Sequence, residues 1–326
     1  MKRLVAAALL IVIALAGCST PGPTEQAPAG APAEGWPRTV ETERGPVELT
    51  AAPKRIVSTS VTITGTLLAI DAPVVASGAT GPNTYLSDDQ GFFRQWSEVA
   101  QQRGVQRLYD QSAPSVEAVL AQQPDLIIVS KSGADSAADL YDQLSKIAPT
   151  LVLGYDDKSW QDLATLLGDA TGHEADARQA IEDYRTKLAE TRAAITLPEQ
   201  PTSAFVFATD AGVSANVWTA ESAQAVLLRD VGFTLAEVPA DLRTTRAGRK
   251  DVINIAEENL ERGLAGRTWI LIAPGPTTED QVRRHPLLAG TDAVRNDRVY
   301  AMGADSFRLD YYSAGNLLDR LREQLG

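Results

Sequence analysis

"GHEADARQAIEDYRTKLAETRAAITLPEQP", Gly172 to Pro201, is the stretch on which the fold turns. Nothing in it reads as strand. Glu174 to Ile195 is dense in Ala, Glu, Arg and Lys, which are strong helix formers, and Pro198 and Pro201 stop the run. The stretch predicts one long helix. Just upstream, Trp160, Leu163, Leu166 and Leu167 share a face at helical spacing. Residues 159–197 therefore read as a helical segment that separates two other regions.

Outward from this segment, strand and helix alternate on both sides. Upstream, strands are expected at Arg55–Val57, Val74–Gly78, Leu126–Val129 and Thr150–Leu153. Helices are expected at Thr64–Ile70, Ser115–Gln122 and Leu140–Ile147. Downstream, strands are expected at Ala204–Ala208, Thr268–Ala273 and Arg298–Ala301, with helices at Ala223–Asp230 and Glu257–Arg262. A closing helix carries Leu317, Leu318, Leu321 and Leu325 on one face, with Asp310 as its N-cap. Such alternation implies parallel α/β layers. The halves echo each other: Glu117 opens a helix that precedes "PDLIIVS", and Glu258 opens one that precedes "RTWILIAP". Asn254 and Glu257 have capping-box spacing at that second helix. The expected architecture is two Rossmann-like α/β lobes, 36–158 and 198–326, joined by one long backbone helix. The cleft between such lobes is a usual ligand site.

The first 35 residues stand apart from this pattern. Lys2 and Arg3 precede the apolar run Leu4–Ala16, which predicts a secretory signal peptide over 1–17, too short for a comfortable membrane span. Leu15-Ala16-Gly17-Cys18 resembles the lipobox of bacterial lipoproteins. That resemblance implies lipidation of Cys18, the single cysteine, and anchoring on the outer face of the cytoplasmic membrane. With one cysteine, no intrachain disulfide can form. Ser19–Gly35, rich in Pro, Ala, Gly and Thr, reads as a disordered tether.

Composition narrows the function. The chain has 326 residues, 44% of them hydrophobic, enough for two ordinary cores. A net charge of −12 argues against a nucleic-acid binder. No Gly-x-Ser-x-Gly elbow is present, and neither of the two histidines has an evident catalytic partner, so no enzyme is expected. His173 and His285 lie in different segments, so no metal ligand set is expected either.

"VELTAAPKRIVS" (47–58), "SVEAVLAQQPDLIIVS" (115–130), "YDQLSKIAPTLVL" (141–153), "SANVWTAESAQ" (214–224) and "SFRLDYYSA" (306–314) together resemble the iron-siderophore binding proteins of ABC importers, above all those of the ferric-enterobactin type. The likeness runs over most of 36–326. It implies capture of a ferric siderophore, delivery to a membrane permease, a monomeric state and only a small change of opening on binding. The lipobox departs from the enteric relatives, which are free in the periplasm.

A ferric tricatecholate supplies all six iron ligands itself, so the protein needs no cofactor. The complex is trianionic with aromatic faces. Arginines should grip it, since guanidinium forks donate to phenolate oxygens, and aromatic side chains should stack on it. Arg94 in "GFFRQW", Trp218, the basic run Arg243, Arg246, Arg249 and Lys250, Arg308 and Tyr311 are the candidates. For Arg94 the bland reading is an ion pair with Glu98, with Phe92 and Trp96 in the core. Tyr311 could equally belong to the hydrophobic face of the last helix. Glu117 and Glu258 suit helix first turns; the resemblance makes them the pair, one per lobe, that docks onto permease arginines. The same fold could instead carry a hydroxamate siderophore, haem or cobalamin; a hydroxamate complex is often nearly neutral and needs fewer arginines, and cobalamin lacks the trianionic charge that three arginines suit.

Overall fold

The computed structural model describes residues 35–155, 158–209, 212–243 and 251–326. The signal peptide with Cys18, nearly all of the tether, and Arg246, Arg249 and Lys250 lie outside the described residues.

A hairpin of β1 (Arg38–Val40) and β2 (Val47–Leu49) precedes the first sheet. That sheet holds β3 (Ile56–Ser58), β4 (Val74–Ala79), β5 (Gln106–Asp110), β6 (Leu126–Ser130) and β7 (Thr150–Leu153). Its order is β5-β4-β3-β6-β7, parallel throughout. The crossovers carry α1 (Val61–Ala69), α2 (Arg94–Gln102), α3 (Val116–Ala121) and α4 (Tyr141–Leu144). Leu126 and Ile128 face the main core, while Ile127 and Val129 join a second cluster with Val57, Ala76 and Val119. A strand covered on both faces explains why this one reads as an unbroken apolar run. The chain leaves β3 first to one side and later returns to the other, which opens a crevice at the carboxyl ends of the strands beside β3.

Two consecutive helices then cross the molecule. In α5 (Trp160–Thr171), Ser159 and Asp162 form a reciprocal capping box, and Gly172 closes the helix in the left-handed region at φ 82°. The long helix is α6 (Glu174–Ala194); Glu174 and Asp176 occupy its first turn, as the helix dipole favours.

The second sheet comprises β8 (Thr202–Ala208), β9 (Ser214–Trp218), β10 (Val252–Ala256), β11 (Thr268–Leu271) and β12 (Val299–Ala301), in the order β10-β9-β8-β11-β12. It is mixed: β11 and β12 run parallel to β8, whereas β9 runs antiparallel to both of its neighbours, β8 and β10. The echo between the lobes is therefore confined to the parallel strands. Its helices are α7 (Ala223–Val231), α8 (Leu260–Gly263), α9 (Thr278–Arg284) and α10 (Asp292–Arg295). Strands β5, β9 and β10 were not expected from the sequence, because they are short and carry polar residues. Asn254 sits in β10 and donates to Asn216 Oδ1 across the ladder at 2.9 Å, so it is not a helix cap. Glu257 and Glu258 instead start a 3₁₀ turn (Glu257–Asn259) that leads into α8.

The closing helix α11 (Tyr311–Leu325), counted with the second lobe on sequence, packs back across α6, α1 and α2. Lys187 on α6 pairs with Asp319 on α11. Glycine at position 65 allows this approach: a Cβ there would stand 2.5 Å from Asp310 Oδ2 and 2.7 Å from Trp96 Cδ1. One hydrophobic cluster consequently runs from α1 and α2 through α5, α6 and α11 to one face of the second sheet.

Candidate functional site

A cleft of about 880 Å³ opens at the carboxyl ends of the first sheet. The first lobe contributes Thr62 and Thr66 from α1, Phe93 and Gln95 at the start of α2, Lys131–Gly133 after β6, and Tyr155 after β7. Trp160 and Leu163 of α5 and Tyr184 of α6 also line it. The opposite wall is Trp218 at the end of β9, the first turn of α7, and Phe307–Asp310.

Arg308 bridges the two walls. The backbone just ahead of it is held from the second lobe: Gln224 Nε2 donates to the Ser306 carbonyl at 3.2 Å and to the Phe307 carbonyl, and Ala273 N donates to Ser306 Oγ at 2.8 Å. The side chain reaches the first lobe. Nη1 donates to Thr62 Oγ1 at 2.9 Å and to the Tyr155 hydroxyl. The guanidinium carbon lies 5.2 Å from the Tyr155 ring centre and 5.9 Å from that of Phe307, both within cation–π range.

Behind this contact lies Asp135, only 3% exposed. Tyr155 donates its hydroxyl to Asp135 Oδ1 at 3.2 Å. Oδ2 accepts from Thr62 N at 3.0 Å and from the Ser60 hydroxyl. The carboxylate thus sits at the N-terminus of α1, where the helix dipole favours negative charge. Burial first, and then the Asp135 carboxylate, raise the Tyr155 phenol above its usual pKa, against an opposing pull from Arg308. The phenol is therefore neutral at pH 7.

Trp218 is 6% exposed, and its indole Nε1 finds no hydrogen-bond partner among the described residues. Phe307 stands exposed beside it. Among the described residues the cleft's cationic groups are Lys131, Lys158 and Arg308; Lys131 also pairs with Glu43 at 3.0 Å. Glu221, Asp230 and Asp251 lie on the second-lobe side. Asp310 turns inward and caps α11 by accepting from Ser313 N at 2.8 Å.

Several residues singled out on sequence fall elsewhere. Arg94 does not line the cleft: it is exposed and donates to the Thr84 carbonyl at 2.9 Å, bracing the loop ahead of α2. Its neighbours Phe92 and Trp96 are core, while Phe93 faces the cleft. Arg243 donates to the Val238 carbonyl at 2.8 Å and pairs with Glu237 at 3.3 Å, away from the lining. Tyr311 packs edge-on to Trp160 at 5.8 Å and lines a separate pocket of about 160 Å³ between α6 and α11. That places it on the packing face of the last helix. Glu117 and Glu258 are both exposed, far from any lining role. His173 meets Asp176 at 3.0 Å and His285 meets Glu257 at 3.4 Å, in separate places. No group of three or more potential metal ligands occurs among the described residues.

Tyr155, Lys131 and Lys158 were not anticipated. Lys131 directly follows β6, and Tyr155 comes two residues after β7. Positions just past parallel strands at a reversal of strand order are where such crevices form, but that order is not legible before the sheet is known.

Two lobes, a long connecting helix and a cleft between them define a ligand-capturing protein of the periplasmic type. Residues 56–306 match the family model described as periplasmic binding protein, and the chain belongs to that family. It is 53% identical over 296 residues to the ferric enterobactin-binding periplasmic protein FepB of Escherichia coli O6:H1, covering 90% of this chain and 92% of that one. It is 24% identical to the Fe(3+) dicitrate-binding periplasmic protein FecB of Escherichia coli K12, over 72% and 71% of the two chains. Among solved structures, holo-ViuP is similar at a TM-score of 0.80 and 37% identity, covering 89% of this chain and 96% of that one. SirA of Staphylococcus aureus, complexed with staphyloferrin B, shares the fold at a TM-score of 0.66 and 21% identity, over 89% and 99% of the chains.

Proposed function

We propose that this protein captures a ferric siderophore outside the cytoplasm and hands it to the permease of an ABC importer. The favoured cargo is a ferric tricatecholate of the enterobactin type. The observation that carries the reading is the guanidinium of Arg308 in the cleft, between the rings of Tyr155 and Phe307 and near Trp218. Its Nε and Nη2 have no partner among the described residues, so two charged donors remain for an anion. Rings on either side offer faces to catechols. The 53% identity to a ferric enterobactin-binding protein over nearly the whole chain points the same way.

The remaining assignments follow from this reading. Trp218 and Arg308 contact the ligand. Arg243, Arg246 and Arg249 lie in or beside the segment between Arg243 and Asp251, whose cations would offset Glu221 and Asp251 and draw the anion in. Arg94 serves the ligand indirectly, by holding the loop next to Phe93. Glu117 and Glu258, one on each lobe, dock onto permease arginines. Cys18 carries a lipid anchor that holds a monomeric protein at the outer face of the cytoplasmic membrane.

Titrating tryptophan fluorescence with ferric enterobactin and with a neutral ferric trihydroxamate tests the cargo. Saturable quenching at 1:1, much tighter for the trianion, is expected. Equal affinity for the neutral complex overturns the charge argument.

A further inference from the structure

Both acceptors of Arg308 Nη1 are tied to one buried carboxylate. Tyr155 accepts from Arg308 and donates to Asp135 Oδ1; Thr62 accepts from Arg308 through Oγ1, while its backbone N–H donates to Asp135 Oδ2. Asp135 and Arg308 are thus linked, without touching, through two bridges that span the cleft. The backbone just ahead of Arg308 is meanwhile fixed from the opposite wall by Gln224, which donates to the carbonyls of Ser306 and Phe307.

We propose that Tyr155, oriented by Asp135, is the positioning residue for Arg308, and that their contact clasps the two lobes while presenting the free edge of the guanidinium to an anionic ligand. The proposal rests on the reading of the cleft as an anion-binding site.

Three features support it. First, an unrestrained arginine has many rotamers, and each must be given up on binding. Here the side chain is already pinned by two hydrogen bonds at one nitrogen and by two aromatic rings. Only the unpinned Nε and Nη2 remain for ligand oxygens. Second, the hydroxyl of Tyr155 donates to Asp135 and accepts from Arg308. A phenol has one proton, so Tyr155 has none left to donate to a ligand. Its contribution is therefore exerted through Arg308. Third, the negative charge of Asp135 strengthens the phenol oxygen as an acceptor, because hydrogen bonds in a chain polarise one another at low dielectric. The carboxylate itself is buried behind Tyr155 and does not present its charge directly to an incoming anion.

A direct ligand contact by Tyr155 is the rival account, and a double-mutant cycle separates the two. Ferric enterobactin is titrated into full-length wild type, Tyr155→Phe, Arg308→Ala and the double variant. Tyr155→Phe keeps the ring and removes only the hydroxyl. About tenfold weaker binding is expected, in line with loss of one hydrogen bond to a charged group. In the Arg308→Ala background the same change should cost nothing further. Wild-type affinity in Tyr155→Phe overturns the proposal, and so does an equal loss in both backgrounds, which would make Tyr155 a direct contact.

A ligand-free measurement keeps this test apart from that of the cargo. In protein labelled with ¹³C-tyrosine, the Cζ resonance of Tyr155, assigned by its absence in Tyr155→Phe, should shift in Arg308→Ala. It should move again in Asp135→Asn. An unmoved resonance in Arg308→Ala overturns the clasp whatever the protein binds. Failure of the wild type to bind ferric enterobactin, with the resonance shifting as expected, sinks the cargo and leaves the clasp standing.

Discussion

Trp218 and Phe307 meet edge to face on the second-lobe wall of the cleft, with ring centres 5.8 Å apart and planes at 63°. Trp218 ends a strand and Phe307 ends a 3₁₀ turn nearly ninety positions later, so the pair exists only in the folded chain. Its place in the cleft wall, packed against Phe307, makes Trp218 the tryptophan that should report ligand most strongly. Trp218→Phe is expected to abolish most of the quenching by ferric enterobactin and to weaken binding by about 1 kcal/mol, roughly fivefold in Kd. Fluorescence titration of the variant checks both; undiminished quenching would remove Trp218 from the site.

Binding and delivery should separate by residue. Arg308→Ala removes charged donors from the cleft and is expected to weaken ligand binding by about 2 kcal/mol, roughly thirtyfold, in the purified protein. Glu117→Ala and Glu258→Ala lie on exposed surface and should leave affinity unchanged. Each should lower iron uptake, since loss of one partner of a buried interfacial charge pair often costs about 2–5 kcal/mol. Equilibrium titration beside uptake in cells with the matching permease reads the split. Glutamate variants that bind poorly, or transport normally, would refute the docking assignment.

Asp310 gives the stability a pH signature. Burial pushes its carboxyl up to about 6, against the hydrogen bonds from Ser313 and Gln95. The folded protein thus holds this proton more tightly than the unfolded chain, whose aspartate titrates near 3.9. The contribution is greatest below pH ~4, falls as pH rises through 6, and is then constant; its full size is on the order of 3 kcal/mol. Asp310→Asn keeps a good N-cap without the buried charge and should flatten this part of the curve. Urea unfolding of both proteins from pH 4 to 7 measures the difference, and parallel curves would show that Asp310 does not titrate in this range.

The lipid anchor has a direct assay. Cells grown with labelled palmitate should yield labelled wild-type protein that partitions into detergent, and unlabelled Cys18→Ala protein. Label retained by Cys18→Ala would place the modification elsewhere, and unlabelled wild-type protein would show that there is none.

The two prolines that follow it and the helix-forming composition of 174–195 made α6 legible because helix formation is a local matter. The same holds for β6, whose apolar run needs burial on both faces wherever it lies. Short edge strands such as β5 and β10 leave no such local signal, since their pairing partners, not their own residues, stabilise them. Asn254 shows the limit well: its spacing to Glu257 suits a cap, yet its actual bond is to Asn216 on the neighbouring strand.

The α/β alternation, the long helix and the residue types suited to an anionic aromatic ligand are legible along the chain. Tertiary structure alone decided which of those residues share a space. Arg94 and Arg308 are both arginines beside aromatics, and nothing local distinguishes them. Arg308 enters the cleft because Gln224 holds the backbone just ahead of it and Tyr155 and Thr62 lie across from it, 153 and 246 positions away in the chain. Arg94 stays outside because the carbonyl of Thr84, ten residues earlier, takes up its donors. Hydrogen-bond partners that distant are set by sheet order and helix packing, which arise from the collective burial of apolar surface and not from any short run of residues.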